Sequence, residues 1–136
     1  MDGRPRLVVP QDMASPAGHY SHAVVAGGLV FVSGQLPITP DGKNLAGEPF
    51  AAQARQALAN IKAALESAGT SIAHLAQVRV YIVDIDLWPN FNAIYSDWCG
   101  SARPARAVVP VPCLHYGCAV EIEAVAMLCE ASAAAS

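Results

Sequence analysis

The chain has 136 residues, enough for one domain with a core of its own. Hydrophobic residues make up 54% of it and charged residues only 14%, with a formal net charge of −3. Charge this sparse predicts that apolar surface is buried between copies, and the lack of any basic run excludes nucleic acid as an expected partner. No apolar stretch reaches membrane-spanning length, and residues 1–10 lack the basic-then-apolar order of a signal peptide. Cys99, Cys113, Cys118 and Cys129 therefore read as reduced thiols of a cytoplasmic protein, the alternative being a Cys113–Cys118 disulfide.

In chain order, Arg6 to Val9 reads as a short strand. His22 to Ala26 and Leu29 to Ser33 flank Gly27-Gly28, the pattern of a hairpin. Pro40-Asp41-Gly42 marks a turn. Pro49 suits the first turn of a helix, and Phe50, Ala54, Ala57, Leu58, Ile61 and Leu65 then recur at helical spacing until Gly69 stops it. Gln77 to Val83 alternates, with Val78, Val80 and Ile82 on one face and Arg79, Tyr81 and Val83 on the other. Asp86 reads as the N-cap of a second helix with Pro89 in its first turn. Trp88, Phe91, Tyr95 and Trp98 give that helix an aromatic side expected to pack in the core.

The last strand runs from Ala119, with Val120, Ile122, Ala124 and Ala126 on one face and Glu121 and Glu123 on the other. This order predicts an α+β fold over residues 1–136 as a single domain, its mixed sheet carrying both helices on one face. The ordered core is expected over about 6–128, with a flexible Ala/Ser-rich tail over 130–136. The other face of the sheet is apolar apart from its two glutamates, and packing against copies of the chain would cover it.

Arg106 and Glu121 stand fifteen residues apart, each in an apolar, strand-like stretch. An antiparallel hairpin about Pro110, Pro112 and Gly117 would bring them near each other at one end. Two readings are open. One is a salt bridge between neighbouring strands. The other is a site in which the planar fork of Arg106 holds a small carboxylic acid while Glu121 orients or activates a water. His19 and His22 have no clear third metal ligand nearby, and Cys113, His115 and Cys118 match no zinc spacing. Ser33 lacks the flanking glycines of a nucleophile elbow. Neither metal nor cofactor is expected.

Five segments together resemble one family: Gly18-His19-Tyr20-Ser21-His22-Ala23, Val30-Phe31-Val32-Ser33-Gly34-Gln35, Asn92-Ala93-Ile94-Tyr95, Pro104-Ala105-Arg106 and Val120-Glu121-Ile122-Glu123-Ala124. They resemble, in order and spacing, the motifs of the RidA/YjgF imine deaminases. The resemblance implies a chorismate-mutase-like fold and a homotrimer whose sheets form a central barrel, with three sites in clefts between subunits. It implies metal-free hydrolysis of enamines and imines, of the 2-iminobutanoate and 2-iminopropanoate type, to a 2-keto acid and ammonia. Arg106 then matches the arginine that grips the substrate carboxylate, and Glu121 the acid that positions the attacking water. Tyr20, Ser33, Gly34, Asn92 and Val108 match the substrate-binding set, Gly34 and Val108 through their backbone groups. The chain departs from the family pattern at His19, His22, Val108 and the Leu114-His115-Tyr116-Gly117 loop, which bears on substrate preference. The resemblance leaves two alternatives: a deaminase of a larger aminomuconate- or aminoacrylate-type acid, or a chaperone-like binding or ribonuclease-type protein.

Overall fold

Gly27 and Gly28 take φ values of 58° and 78°, the paired positive φ that a two-residue type I′ hairpin turn demands. They join strand β2 (Ala23–Ala26) to β3 (Leu29–Gln35), and β1 (Arg6–Val8) adds antiparallel to β2. The computed structural model describes residues 3–129. The tail expected over 130–136 lies outside them.

Helix α1 spans Phe50–Ala68 behind Pro49. Ala54, Ala57, Leu58, Ile61, Ala64 and Leu65 are buried along one stripe, as the 3.6-residue period requires. Gly69 ends the helix at φ 93°, its N–H turned back to the carbonyls of Leu65 and Glu66. Strand β4 (Leu75–Ile82) follows. Helix α2 (Trp88–Cys99) comes next, then β5 (Ala105–Pro110) and β6 (Val120–Met127).

The start of α2 departs from expectation. Asp84, not Asp86, supplies the cap: its carboxylate accepts from the Asp86 N–H at 3.0 Å and opens a short 3-10 turn, Ile85–Leu87, that runs into α2. Pro89 lies in the first turn of α2 as expected. Phe91 and Tyr95 are buried and stack at 5.6 Å, but Trp88 stands 45% exposed at the helix start and does not join the core.

The sheet runs β1-β2-β3-β6-β4-β5. β4 lies between β5 and β6, parallel to the first and antiparallel to the second. The hairpin expected between β5 and β6 is therefore absent. The physical reason is the connection β4–α2–β5: a crossover through a helix returns the chain in the same direction, so β5 pairs parallel with β4 as an edge strand. The chain then passes across β4 through a short 3-10 turn, His115–Gly117, before entering β6.

Val78, Val80, Ile82, Val120, Ile122, Ala124 and Ala126 face the helices and are buried with α1 and α2. Both helices thus cover one face of a mixed sheet, as expected. On the other face Phe31 is 41% exposed, and Glu121 and Glu123 stand on β6. Among the described residues no helix is long and apolar enough to cross a membrane. Cys99, Cys113, Cys118 and Cys129 are all free thiols.

Candidate active site

Glu121 and Glu123 alternate with buried Ile122, so β6 aims both carboxylates at the open face. Their surroundings differ. The Tyr81 hydroxyl donates to Glu123 Oε1 at 2.5 Å, and Arg79 Nη1 stands 3.7 Å from the same oxygen. That bond to a carboxylate also pushes the Tyr81 phenol up. Glu123 is thereby engaged in cross-strand contacts with β4.

Glu121 is half-buried and makes no hydrogen bond to another described residue. Burial pushes its carboxyl above the ordinary carboxylate value; nearby His115 pulls the other way and Glu123 adds to the rise. The carboxylate lies against Gly34, where the β3–β6 register shifts between Val32 and Gln35. A Cβ built on Gly34 would stand 2.7 Å from Glu121 Oε2 and 3.0 Å from its Cδ.

The glutamate opens on a cavity of about 610 Å³. Tyr20, Ser33, Gly34, His115 and Tyr116 line it with Glu121. Ser33 is held from two sides: its N–H donates to the His22 carbonyl at 2.9 Å and its hydroxyl to the Ser21 carbonyl at 2.7 Å. Tyr116 sits at φ 61°, a left-handed conformation uncommon for a residue with a side chain. The Asn44 amide steadies it by donating to the Tyr116 carbonyl at 3.1 Å.

Arg106 lies elsewhere. It projects from the edge strand β5 toward α2, where Nη1 donates to Asn92 Oδ1 at 2.7 Å and the guanidinium carbon stands 5.0 Å from the centre of the Tyr95 ring. The fork is oriented by a hydrogen bond and an aromatic face, yet the residue stays exposed. Val108, half-buried, follows two residues along the same face of β5.

The seven expected site residues thus form two groups. Tyr20, Ser33, Gly34 and Glu121 surround the cavity; Arg106, Asn92 and Val108 gather at the β5 edge. Arg106 pairs with Val78, which faces the helices, whereas Glu121 pairs with Tyr81 on the open face. Two strand spacings and three residues of rise separate them, about 14 Å between Cα atoms. No salt bridge joins them within one chain, against the expected proximity.

His22, His115 and Tyr116, expected only to bear on substrate preference, line the cavity itself, and Gln35 joins them without having been expected as a site residue. The signal open to sequence reading was the Tyr116-Gly117 pair, a turn composition beside β6. His19 is exposed.

The family model for Endoribonuclease L-PSP matches residues 11–128. The yeast (Saccharomyces cerevisiae) protein HMF1 is 36% identical over 119 residues, covering 88% of this chain and 92% of its own length. The crystal structure of RidA from the Antarctic bacterium Psychrobacter sp. PAMC 21119 superposes with a TM-score of 0.86 at 33% identity, over 90% of this chain and 99% of that one. Escherichia coli TdcF, solved with bound serine, gives a TM-score of 0.84 at 31% identity, over 91% and 99% of the two chains. With the family model spanning nearly the whole α+β unit and the solved relatives repeating its layout, the chain belongs to the endoribonuclease L-PSP family, which includes RidA and YjgF.

Proposed function

We propose that this protein is a hydrolytic deaminase of 2-imino acids, releasing a 2-keto acid and ammonia. The observation that carries this reading is Glu121: a half-buried carboxylate on a cavity, its affinity for protons raised, with no hydrogen bond to another described residue. A carboxylate held so is suited to take a proton from water, since raising its basicity moves it toward the working range of a general base.

The substrate is an iminium carboxylate. Arg106 holds the carboxylate through its planar fork, with Asn92 and Tyr95 fixing the fork's direction. Glu121 accepts a proton as water adds to the imine carbon, forming the C–O bond while the C=N π electrons move to nitrogen. The resulting carbinolamine takes the proton from Glu121 on nitrogen. Its hydroxyl proton then passes to Glu121 as the C–N bond breaks, giving the keto acid and ammonia, and Glu121 hands that proton to the departing ammonia as ammonium. Holding the acid and one water in register supplies most of the acceleration, because a protonated imine is already electrophilic.

The separation of Arg106 from Glu121 within one chain bears on assembly. A small imino acid cannot span about 14 Å. The reading therefore requires an oligomer, which we propose to be a homotrimer, in which one copy brings its β5 edge, with Arg106, Asn92 and Val108, to the cavity of the next. The partly exposed apolar sheet face, with Phe31 on it, supports burial between copies. A cytoplasmic site of action accords with the four free thiols. The serine bound to TdcF supports a small amino-acid-like ligand by analogy.

A second reading, a larger imino acid, is favoured by one feature: Tyr20, His22, His115 and Tyr116 set four rings around the cavity. Both are tested by ammonia release from freshly generated imines, comparing 2-iminobutanoate with imines of bulky amino acids. Turnover of the small imine, lost in Glu121→Ala, supports the first; preference for the bulky imine selects the second. No release from either would overturn both.

A further inference from the structure

His22 ties together the two segments that form the cavity's wall and floor. Its Nε2 lies 2.7 Å from the Ala14 carbonyl, and its Nδ1 lies 3.1 Å from Gln35 Nε2. A carbonyl oxygen only accepts, so Nε2 must carry the ring proton and Nδ1 must hold a lone pair. The orientation of the Gln35 amide agrees, because the same Nε2 also donates to the Ser33 carbonyl at 3.2 Å. Gln35 is buried, so its donors have little recourse to water.

These contacts meet at Gly34. The carbonyl of His22 accepts from the Ser33 N–H, and the Ser33 hydroxyl reaches the Ser21 carbonyl. Ser33 and Gln35, the two neighbours of Gly34, are therefore both fixed by the segment that carries His22. On the far side, the bond to Ala14 holds the loop in which Met13 and Tyr20 line the cavity, and the Tyr20 ring meets the His22 ring edge-on at 6.3 Å.

We infer that His22 is a positioning residue for the site: its neutral ring, protonated on Nε2, clamps the 13–20 loop to Gln35 and so sets both the Tyr20 wall and the backbone of Gly34 against which Glu121 rests. It touches no reacting atom in this role. Glutamine carries the same donor and acceptor without a ring, its amide N–H2 to donate to Ala14 and its oxygen to accept from Gln35.

Three measurements on the full chain test this. Nitrogen-detected NMR of the wild type should show His22 protonated on Nε2 alone; the Nδ1–H tautomer would overturn the clamp. Hydrogen exchange at the amides of residues 13–20 should quicken about tenfold in His22→Ala and return to within about twofold of wild type in His22→Gln, with strand amides unchanged. Turnover of 2-iminobutanoate should fall about tenfold in the alanine variant and be restored by glutamine. An alanine variant that matches wild type in exchange and turnover, or a glutamine variant no better than alanine, would also overturn it. Should His22→Ala not fold, the tautomer and the glutamine variant still decide. The turnover arm rests on the deaminase reading; the NMR and exchange arms do not, so a wild type without activity refutes that reading and leaves the clamp to be judged on its own.

Discussion

The Glu121 carboxylate occupies the space that a side chain at position 34 would fill: a Cβ there would lie 2.7 Å from Oε2. Gly34 is needed for room, not for an unusual φ. Gly34→Ala must displace either the strand backbone or the carboxylate, and the carboxylate moves at lower cost because no described residue hydrogen-bonds it. Gly34→Ala should therefore cut imine turnover about ten- to a hundredfold, as a misplacement of about 1 Å does, while destabilising by no more than about 1–2 kcal/mol. Rate assays and thermal melts on the same preparation check this; an unimpaired rate would show that the carboxylate's position does not matter.

Glu121 and Glu123 should separate cleanly when each is changed to Gln. Burial raises the folded-state proton affinity of Glu121, so its ionisation opposes folding. The stability it contributes is present in acid, below the ordinary carboxylate value, and is lost as pH rises through the raised folded value. Glu121→Gln, which cannot ionise, should thus melt higher than wild type at neutral pH, with the gap narrowing as the pH is lowered, and should lose about 10²–10⁴ in turnover. Glu123→Gln weakens the contact with Tyr81 and the partly exposed pairing with Arg79, so it should lose about 1 kcal/mol and keep most activity. Melts across pH and rate assays on both variants decide; equal loss of turnover would reverse the assignment.

How far the sequence disclosed these sites depends on what kind of contact makes them. The alternation Val120, Ile122, Ala124 and the stripe Ala54, Ala57, Leu58, Ile61 are local periods, and each placed its residues on the buried face. The neighbour of β5 is not a local property. Pro110, Pro112 and Gly117 resemble a hairpin turn, yet the preceding crossover through α2 commits β5 to parallel pairing with β4. The motif matches named Arg106 and Glu121 as a pair to consider, but no spacing within a chain reveals that they lie on opposite sheet faces. Trp88 misled for a similar reason: its helical spacing to Phe91 holds, but the start of α2 projects beyond the core.

Arg106 is exposed and its contacts are to Asn92 and Tyr95, so its removal should cost the fold little. Its proposed role needs two parallel hydrogen bonds to a carboxylate. Arg106→Lys keeps the charge but not the fork, and should lose about ten- to a hundredfold in kcat/KM, at roughly 1.5–3 kcal/mol per charge-assisted bond. Arg106→Ala should abolish detectable turnover and keto-acid binding. Calorimetry with 2-oxobutanoate and steady-state rates measure both. A folded Arg106→Ala protein with near-normal specific activity would remove the carboxylate clamp from the mechanism.

The location of Arg106 and Glu121 on different parts of one chain makes the shared cleft testable without a crystal. If each site takes Glu121 from one copy and Arg106 from the next, Glu121→Ala and Arg106→Ala chains should each be inactive alone and active when mixed. In a closed head-to-tail ring, a site is intact when its cavity comes from the arginine variant and its edge strand from the glutamate variant. Random exchange of equal amounts makes each choice half the time, so about a quarter of the wild-type sites are restored. Denaturing and refolding the two variants together, then assaying ammonia release and mass by light scattering, reads this directly. Recovery near that fraction, in particles of three chain masses, supports the trimeric cleft. No recovery in such particles would mean that no site takes the two residues from different copies.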